Sequence, residues 1–178
     1  MRLFIALNFE NEVKKQISDI IEKVESSSIQ GKFLKEEHMH LTVEFLGEIQ
    51  EDQVDLIKNI MDQIEFKAFT LRPNKLGYFK RREGNIYWLG LEKNNTLMNI
   101  HEALHQRLID NGFELEDREY RPHITIGRKV KIKDPFPINE INDGIKKIEI
   151  NIDCVDLMKS EFKDGKLIYS LLHSKQLH

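Results

Sequence analysis

Two short segments of the chain place a histidine and a threonine two residues apart. One runs from residue 40 to 43 and reads HLTV, and the other runs from 123 to 126 and reads HITI. Successive side chains of a β-strand point to opposite faces, so on a strand each segment presents its imidazole and its hydroxyl on one face. One such pair is a weak signal. Its repetition favours a functional site over chance.

Two histidines and two hydroxyls can carry out an in-line displacement at phosphorus. Imidazole has a reference pKa of about 6.5, so one ring can be neutral while the other is protonated. The neutral ring takes a proton from the attacking oxygen, and the imidazolium gives one to the leaving oxygen. Thr42 and Thr125 would donate hydrogen bonds to the non-bridging phosphate oxygens. We therefore predict that His40 and His123 are catalytic, with no metal and no cofactor.

Two arginines are candidates for a further contact with the phosphate. Arg121 lies two residues before His123 and would share its face on a regular strand. Arg128 lies an odd number of residues after His123, so Gly127 would have to provide a bend. The residues alone leave both candidates open.

A competing motif lies on a predicted helix. Residues 101–105 read HEALH and match the H-E-x-x-H pattern of zinc peptidases. On a helical wheel His101 sits beside the apolar stripe and His105 at its margin, where a packed histidine would also sit. No third ligand is evident, because Leu108 and Asn111 interrupt the extended form of the motif. We expect this helix to be scaffold, with a zinc hydrolase as a minor alternative.

The predicted strands and helices that position these residues occur in the same order in both halves of the chain. Almost the same number of residues separates Phe4 from Trp88 as separates His40 from His123. Apolar periodicity predicts a β-α-β-α-β unit in each half, with a closing strand at the end. The predicted strands are 2–8, 39–46, 86–91, the second histidine segment, 148–154 and 167–174, and the predicted helices are 13–24, 54–64, 97–111 and 137–145. A loop is expected between residue 26 and the first histidine strand, and a turn over 77–85. Pro73 would confine the extended segment after residue 69 to an edge or a bulge.

This order predicts an α+β fold of two lobes about a pseudo-twofold axis, with the histidine strands facing one central cleft. We expect one domain over residues 1–178, built from two pseudo-repeat lobes. The 178 residues are 40% hydrophobic and 32% charged, which is typical of a globular protein. The single cysteine, with no visible signal peptide or apolar run of about 20 residues, predicts a cytoplasmic protein without a membrane span.

The formal charge of −3 indicates that an anionic ligand must be met by local positive charge. The candidates for a cationic rim are Lys80, Arg81, Arg82, Arg118, Lys129 and Lys131. Candidates for stacking on a base are Tyr78, Phe79, Phe9 and Tyr120.

Several segments together resemble the 2H phosphoesterase superfamily. They are MRLFIAL at the start, HLTVEFLGE at 40–48, YWLGL at 87–91 and RPHITIGR at 121–128. Within the superfamily the chain is most similar to the bacterial and archaeal RNA 2′,3′-cyclic phosphodiesterases, also called 2′-5′ RNA ligases. The resemblance implies a bilobal α+β fold with antiparallel sheets facing a cleft and helices outside. It also implies metal-independent opening of 2′,3′-cyclic phosphates to 2′-phosphates.

By position, the resemblance implies that His40 and His123 are catalytic and that Thr42, Thr125 and Arg128 bind the phosphate. By analogy His40 is the acid and His123 the base, although the pseudo-symmetry makes the opposite assignment chemically equivalent. The expected substrates are RNA ends or small cyclic nucleotides, and a monomer is expected. The alternatives are hydrolysis or reversible ligation of 2′-5′ linkages and, from other classes, a zinc hydrolase or a non-catalytic RNA-end-binding module.

Overall fold

The computed structural model describes all 178 residues and contains ten β-strands and four α-helices. The strands are β1 (Arg2–Asn8), β2 (Ser28–Phe33), β3 (His40–Glu48), β4 (Phe69–Leu71), β5 (Pro73–Phe79), β6 (Asn85–Leu91), β7 (Ile124–Ile132), β8 (Ile150–Ile152), β9 (Cys154–Lys163) and β10 (Lys166–Gln176). The helices are α1 (Asn11–Ser26), α2 (Val54–Asp62), α3 (Asn95–Asp110) and α4 (Ile138–Ile145). The α+β class predicted from the sequence is confirmed.

Two four-stranded antiparallel sheets form the two lobes. The first has the order β10-β9-β1-β3, and the second has the order β2-β7-β6-β5. Helices α2 and α3 pack on the first sheet, whereas α1 and α4 pack on the second. A short ladder between β4 and β8 joins the two halves of the chain. The strands that carry the two motifs, β3 and β7, contact each other between the lobes.

The two halves of the chain are intertwined rather than stacked side by side. The first sheet takes β1 and β3 from the first half and β9 and β10 from the second. The second sheet takes β6 and β7 from the second half and β2 and β5 from the first. One cluster of 39 buried residues runs through both lobes. The relative position of the two motif strands is therefore held by a shared core.

The helices form where apolar residues recur at helical spacing. The buried residues of α1 lie on one stripe, which faces the second sheet: Val13, Ile17, Ile20, Ile21 and Val24. Helix α3 begins where the Asn94 side chain accepts a hydrogen bond from the backbone N–H of Leu97 at 3.0 Å. It ends at Asp110, and two residues later the chain turns away at Gly112, whose φ of +89° is costly for other residues. No helix has the length and apolar character needed to cross a membrane.

The structure corrects three sequence-based assignments of secondary structure. The expected loop after residue 26 contains strand β2, an edge strand that pairs with β7 but leaves most of its side chains exposed. Its ladder is made by backbone groups, which leave no apolar period in the sequence. The predicted strand 148–154 is divided between β8, which pairs with β4, and β9, which pairs with β1 and β10. The expected turn at 77–85 is shorter, because β5 continues to Phe79 and β6 begins at Asn85. Pro73 does begin an edge strand, with a register shift beside it.

Candidate active site

His40 is the first residue of β3, and its ring is held by two nearby groups. Nδ1 is 2.9 Å from the backbone oxygen of His38, and Nε2 is 3.1 Å from Oγ1 of Thr42. A carbonyl oxygen can only accept, so Nδ1 carries the hydrogen and Nε2 is the nitrogen that remains for chemistry. His40 and Thr42 therefore lie side by side, as the spacing predicted.

His123 repeats this arrangement in the second half. Its Nδ1–H donates to the backbone oxygen of Arg121 at 2.7 Å, so this carbonyl also lies two residues upstream. His123 lies one residue ahead of β7, whereas the sequence predicted that the strand would include it. The ring packs edge-on against Phe79, with centroids 5.3 Å apart, and lies 6.3 Å from Trp88. Again Nε2 is the ring nitrogen that the carbonyl leaves free.

Aromatic side chains enclose the ring of His40. The ring centroid of Phe4 is 5.0 Å away and that of Tyr169, in an edge-on contact, is 5.4 Å away. Burial lowers the pKa of His40 to about 4, and the hydrogen bond to the His38 carbonyl, which favours the charged form, offsets only part of that effect. His40 is therefore neutral at pH 7 in the ligand-free protein. Neither Phe4 nor Tyr169 was a candidate from the sequence, although the matched spacing of Phe4 and Trp88 was a signal that both pack near a motif histidine.

A partly buried tyrosine just ahead of the second motif segment makes a hydrogen bond to the first motif segment. The hydroxyl of Tyr120, three residues before His123, donates a hydrogen bond to the backbone oxygen of Thr42 at 2.8 Å. This bond ties the chain just ahead of the second motif segment to β3.

The two candidate arginines have different surroundings. Arg121 is exposed and pairs with Glu119 at 3.1 Å. Arg128 lies on β7, close enough to Tyr169 that its positive charge opposes the rise in tyrosine pKa caused by burial. Arg128 therefore lies near the aromatic ring that packs on His40. The pairing of β7 with β6 shifts register between Thr125 and Gly127, where the sequence predicts a bend, and Ile126 and Gly127 are both buried. A second irregularity follows at Lys129, which has a φ of +53°.

Glu44 lies two residues after Thr42 in the sequence, and its carboxylate joins a cluster with two histidines of helix α3. A bulge at Val43 breaks the alternation of β3, so Glu44 pairs with the fully buried Ile5 and faces helix α3. There its Oε2 lies 2.6 Å from Nδ1 of His105 and 3.3 Å from Nε2 of His101. The structure thus supplies the third metal-ligating group that the H-E-x-x-H segment lacked in sequence.

The residues predicted to stack on a base or to form a cationic rim differ in their exposure and in their contacts. Phe9 is buried, and Tyr120 stacks on His101 with a centroid separation of 4.0 Å. Tyr78 remains 54% exposed. The guanidinium of Arg81 lies 5.8 Å from the ring centroid of Phe79, and Phe79 in turn packs on His123. Two other rim residues pair with acidic side chains, Arg118 with Glu116 and Lys129 with Glu83.

Known proteins resemble this chain in sequence and in fold. The family model for LigT like phosphoesterases matches it twice, over residues 7–88 and 89–169. An RNA 2′,3′-cyclic phosphodiesterase of Thermotoga maritima is 35% identical over 99% of this chain and 95% of that protein. The Methanocaldococcus jannaschii protein of the same name is 33% identical over 97% of this chain and 92% of that protein. Apo E. coli LigT superposes with a TM-score of 0.82 at 24% identity, covering 99% of this chain and 96% of that one. The double match agrees with the duplication predicted from the sequence.

Proposed function

The chain belongs to the LigT like phosphoesterase family, and from that premise we propose that it hydrolyses 2′,3′-cyclic phosphates, at RNA ends or on small nucleotides, to 2′-phosphates. The observation that carries this proposal is the matched hydrogen bonding of His40 and His123. In each case a carbonyl two residues upstream takes Nδ1–H and leaves Nε2 for chemistry, with a threonine two residues on. Curated relatives with full-length similarity are named for this reaction.

The proposed reaction is one in-line displacement. Neutral Nε2 of His123 takes a proton from water, the water oxygen forms a bond to phosphorus, and the bond from phosphorus to the 3′-oxygen breaks. Protonated Nε2 of His40 gives its proton to that leaving oxygen, which leaves a 3′-hydroxyl and a 2′-phosphate. Thr42 and Thr125 donate hydrogen bonds to the non-bridging oxygens, where negative charge is concentrated. Arg128 adds positive charge on the same side.

The acid role requires that His40 gain a proton when substrate binds. Burial keeps its pKa near 4 in the free protein. A phosphodiester anion within hydrogen-bonding distance of Nε2 stabilises imidazolium and raises that pKa. The substrate therefore brings the charge that converts His40 into an acid.

The test of the activity is incubation with a 2′,3′-cyclic nucleotide in chelator, followed by identification of the product. We expect the 2′-phosphate, and we expect His40→Ala and His123→Ala each to lose about 10²- to 10⁴-fold in rate while remaining folded. A 2′-5′-linked dinucleotide formed from a cyclic-phosphate end and a 5′-hydroxyl would instead indicate ligation. Turnover that chelator abolishes would indicate a zinc hydrolase. Retention of cyclic-phosphate ends without turnover would indicate a binding module.

A substrate with a good leaving group separates the two histidine roles. A p-nitrophenyl phosphodiester releases a weakly basic phenolate that needs no proton. We expect His40→Ala to recover most of its lost rate on this substrate, because the acid step is no longer required. His123→Ala should remain slow, because water still needs a base. The opposite pattern would exchange the two roles.

We also propose that the protein acts as a cytoplasmic monomer. The lone Cys154 cannot form an internal disulfide, and burial raises its pKa to about 11, so its thiol is not a reactive thiolate. Light scattering on the purified protein should give the 21.1 kDa mass of one chain. A mass of twice that value would contradict the monomer.

A further inference from the structure

One cluster of metal-ligating side chains lies outside the H-x-T site, between β3 and α3. It contains Glu44, His101 and His105, whose ligand atoms all lie within 4.8 Å of one another. Their side chains are 9%, 16% and 22% exposed, so the cluster is shielded from bulk water but still reachable from it. We propose that these three residues form a zinc-binding site that supports the fold and takes no part in the phosphodiester chemistry.

The observed separations are close to those of a tetrahedral zinc site. Zinc binds imidazole nitrogen at about 2.0–2.1 Å and carboxylate oxygen at about 2.0–2.2 Å, so neighbouring ligand atoms lie roughly 3.3 Å apart. Oε2 of Glu44 is 3.3 Å from Nε2 of His101 and 2.6 Å from Nδ1 of His105. The His105 contact has to open by roughly 0.7 Å on that geometry, and the ring nitrogens of His101 and His105, which lie within 4.8 Å of each other, have to take the same spacing.

The backbone holds the two imidazoles in place before any ion arrives. His101 and His105 are four residues apart on a continuous helix, which puts them on one face, with ring centroids 5.3 Å apart. Tyr120 stacks on His101 with an interplanar angle of 8°, which restricts the rotation of that ring. The site therefore needs little reorganisation to bind a metal ion.

Charge also favours a cation at this position. Glu44 is only 8% exposed and faces the core side of β3. Its Oε2 lies within 3.3 Å of a ring nitrogen of each histidine, so this shielded acid is held against two imidazoles. When zinc binds, the hydrogen on each ligating nitrogen moves to the other ring nitrogen or to solvent.

The proposed ion would join parts of the chain that are far apart in sequence. Glu44 comes from the first half and the two histidines come from the second. Tyr120, which stacks on His101, also donates its hydroxyl to the backbone oxygen of Thr42 at 2.8 Å. Zinc would therefore strengthen the attachment of α3 to β3 next to the phosphate-binding threonine without contacting the phosphate.

The test is a zinc titration of the chelator-treated, dialysed protein against a chromogenic zinc indicator. We expect one equivalent of zinc to bind, and we expect zinc to raise the melting temperature. His101→Ala and His105→Ala should each weaken zinc binding by at least about 10- to 100-fold. His173→Ala is the matched control, because His173 also contacts a carboxylate, that of Asp62 at 2.7 Å, but has no second histidine beside it. It should bind zinc like the wild type.

Glu44→Gln is the variant least expected to disturb folding, because glutamine keeps the size of the side chain and an acceptor oxygen. It therefore separates loss of zinc binding from loss of structure. It should unfold cooperatively, retain cyclic phosphodiesterase turnover and lose the zinc-dependent rise in melting temperature. Zinc binding that persists unchanged in the His101 and His105 variants would overturn the proposal. So would less than one equivalent bound to the wild type at about 100 μM free zinc, a concentration well above what a structural site requires.

Discussion

The low pKa of His40 predicts that this partly buried ring destabilises the protein at mildly acidic pH. The perturbation is the substitution His40→Gln combined with a change of pH from 7 to 5. The unfolded chain should titrate this ring near 6.5, whereas burial holds its pKa at about 4 in the folded protein. Between these two values the unfolded state binds more protons, so stability rises with pH across that window.

The size of the effect follows from the separation of the two pKa values. Each unit of difference corresponds to about 1.4 kcal/mol. The contribution of His40 to the free energy of unfolding is fully present above pH 6.5, and it is lost as the pH falls from 6.5 towards 4. Linkage gives a loss of about 2 kcal/mol between pH 7 and pH 5, approaching roughly 3 kcal/mol near pH 4. For a domain stabilised by about 5–15 kcal/mol, a loss of that size is easily measured.

The assay is urea unfolding of wild type and His40→Gln at pH 7, 6 and 5. Other groups titrate in both proteins, so the difference between their free energies of unfolding isolates His40. The wild type should lose about 2 kcal/mol more than the variant between pH 7 and pH 5. His178→Gln, at the exposed C-terminal residue, should parallel the wild type. An NMR titration of the His40 ring in the folded protein gives the pKa directly.

Parallel stability curves for wild type and His40→Gln would refute this reasoning. A His40 ring that titrates near 6.5 in the folded protein would refute it as well. Either result would mean that Phe4 and Tyr169 do not keep water from the ring.

Three further substitutions test other contacts of the site. Thr125→Val should lower kcat/KM by about 10²-fold in steady-state assays without changing urea unfolding, because one donor to the phosphate is lost; unchanged kinetics would remove Thr125 from the site. Tyr120→Phe should lower the free energy of unfolding by about 1 kcal/mol, since it deletes the 2.8 Å hydrogen bond to the Thr42 carbonyl. Gly77→Ala should cost about 1–3 kcal/mol in the same unfolding assay, because its Cβ would overlap the Trp88 indole; wild-type stability would show that the indole moves freely.

Local patterns were sufficient for most of the secondary structure. The predicted helices at 13–24 and 97–111 correspond to α1 at Asn11–Ser26 and α3 at Asn95–Asp110. Each has an apolar stripe that stays in phase over several turns, and such a stripe is a property of the sequence alone. Strand β2 was missed because its position depends on backbone hydrogen bonds to β7. Most of its side chains are exposed and contribute little to that pairing.

The same distinction applies to the candidate site: relations between neighbouring residues could be predicted, and relations that depend on strand pairing could not. The pairing of His40 with Thr42 could be predicted because two residues on one strand share a face whatever surrounds them. The position of Glu44 could not be predicted. Simple alternation would put it on the same face of β3 as Thr42, but the bulge at Val43 turns it to the opposite face. The face of Arg128 depends on a similar break in β7, where the register shifts between Thr125 and Gly127, and there the glycine in the sequence was a usable signal.

The sequence by itself determined which chemical groups the protein has and that they occur twice. Two imidazoles and two hydroxyls lie in short repeated motifs, and this information is carried by neighbouring residues. Only the tertiary structure decided the protonation of His40, because Phe4 and Tyr169, which pack against its ring, are distant in the chain. It also decided that α3 meets Glu44. Desolvation and ion pairing depend on distances through space, and periodicity along the chain specifies only the face on which a side chain lies.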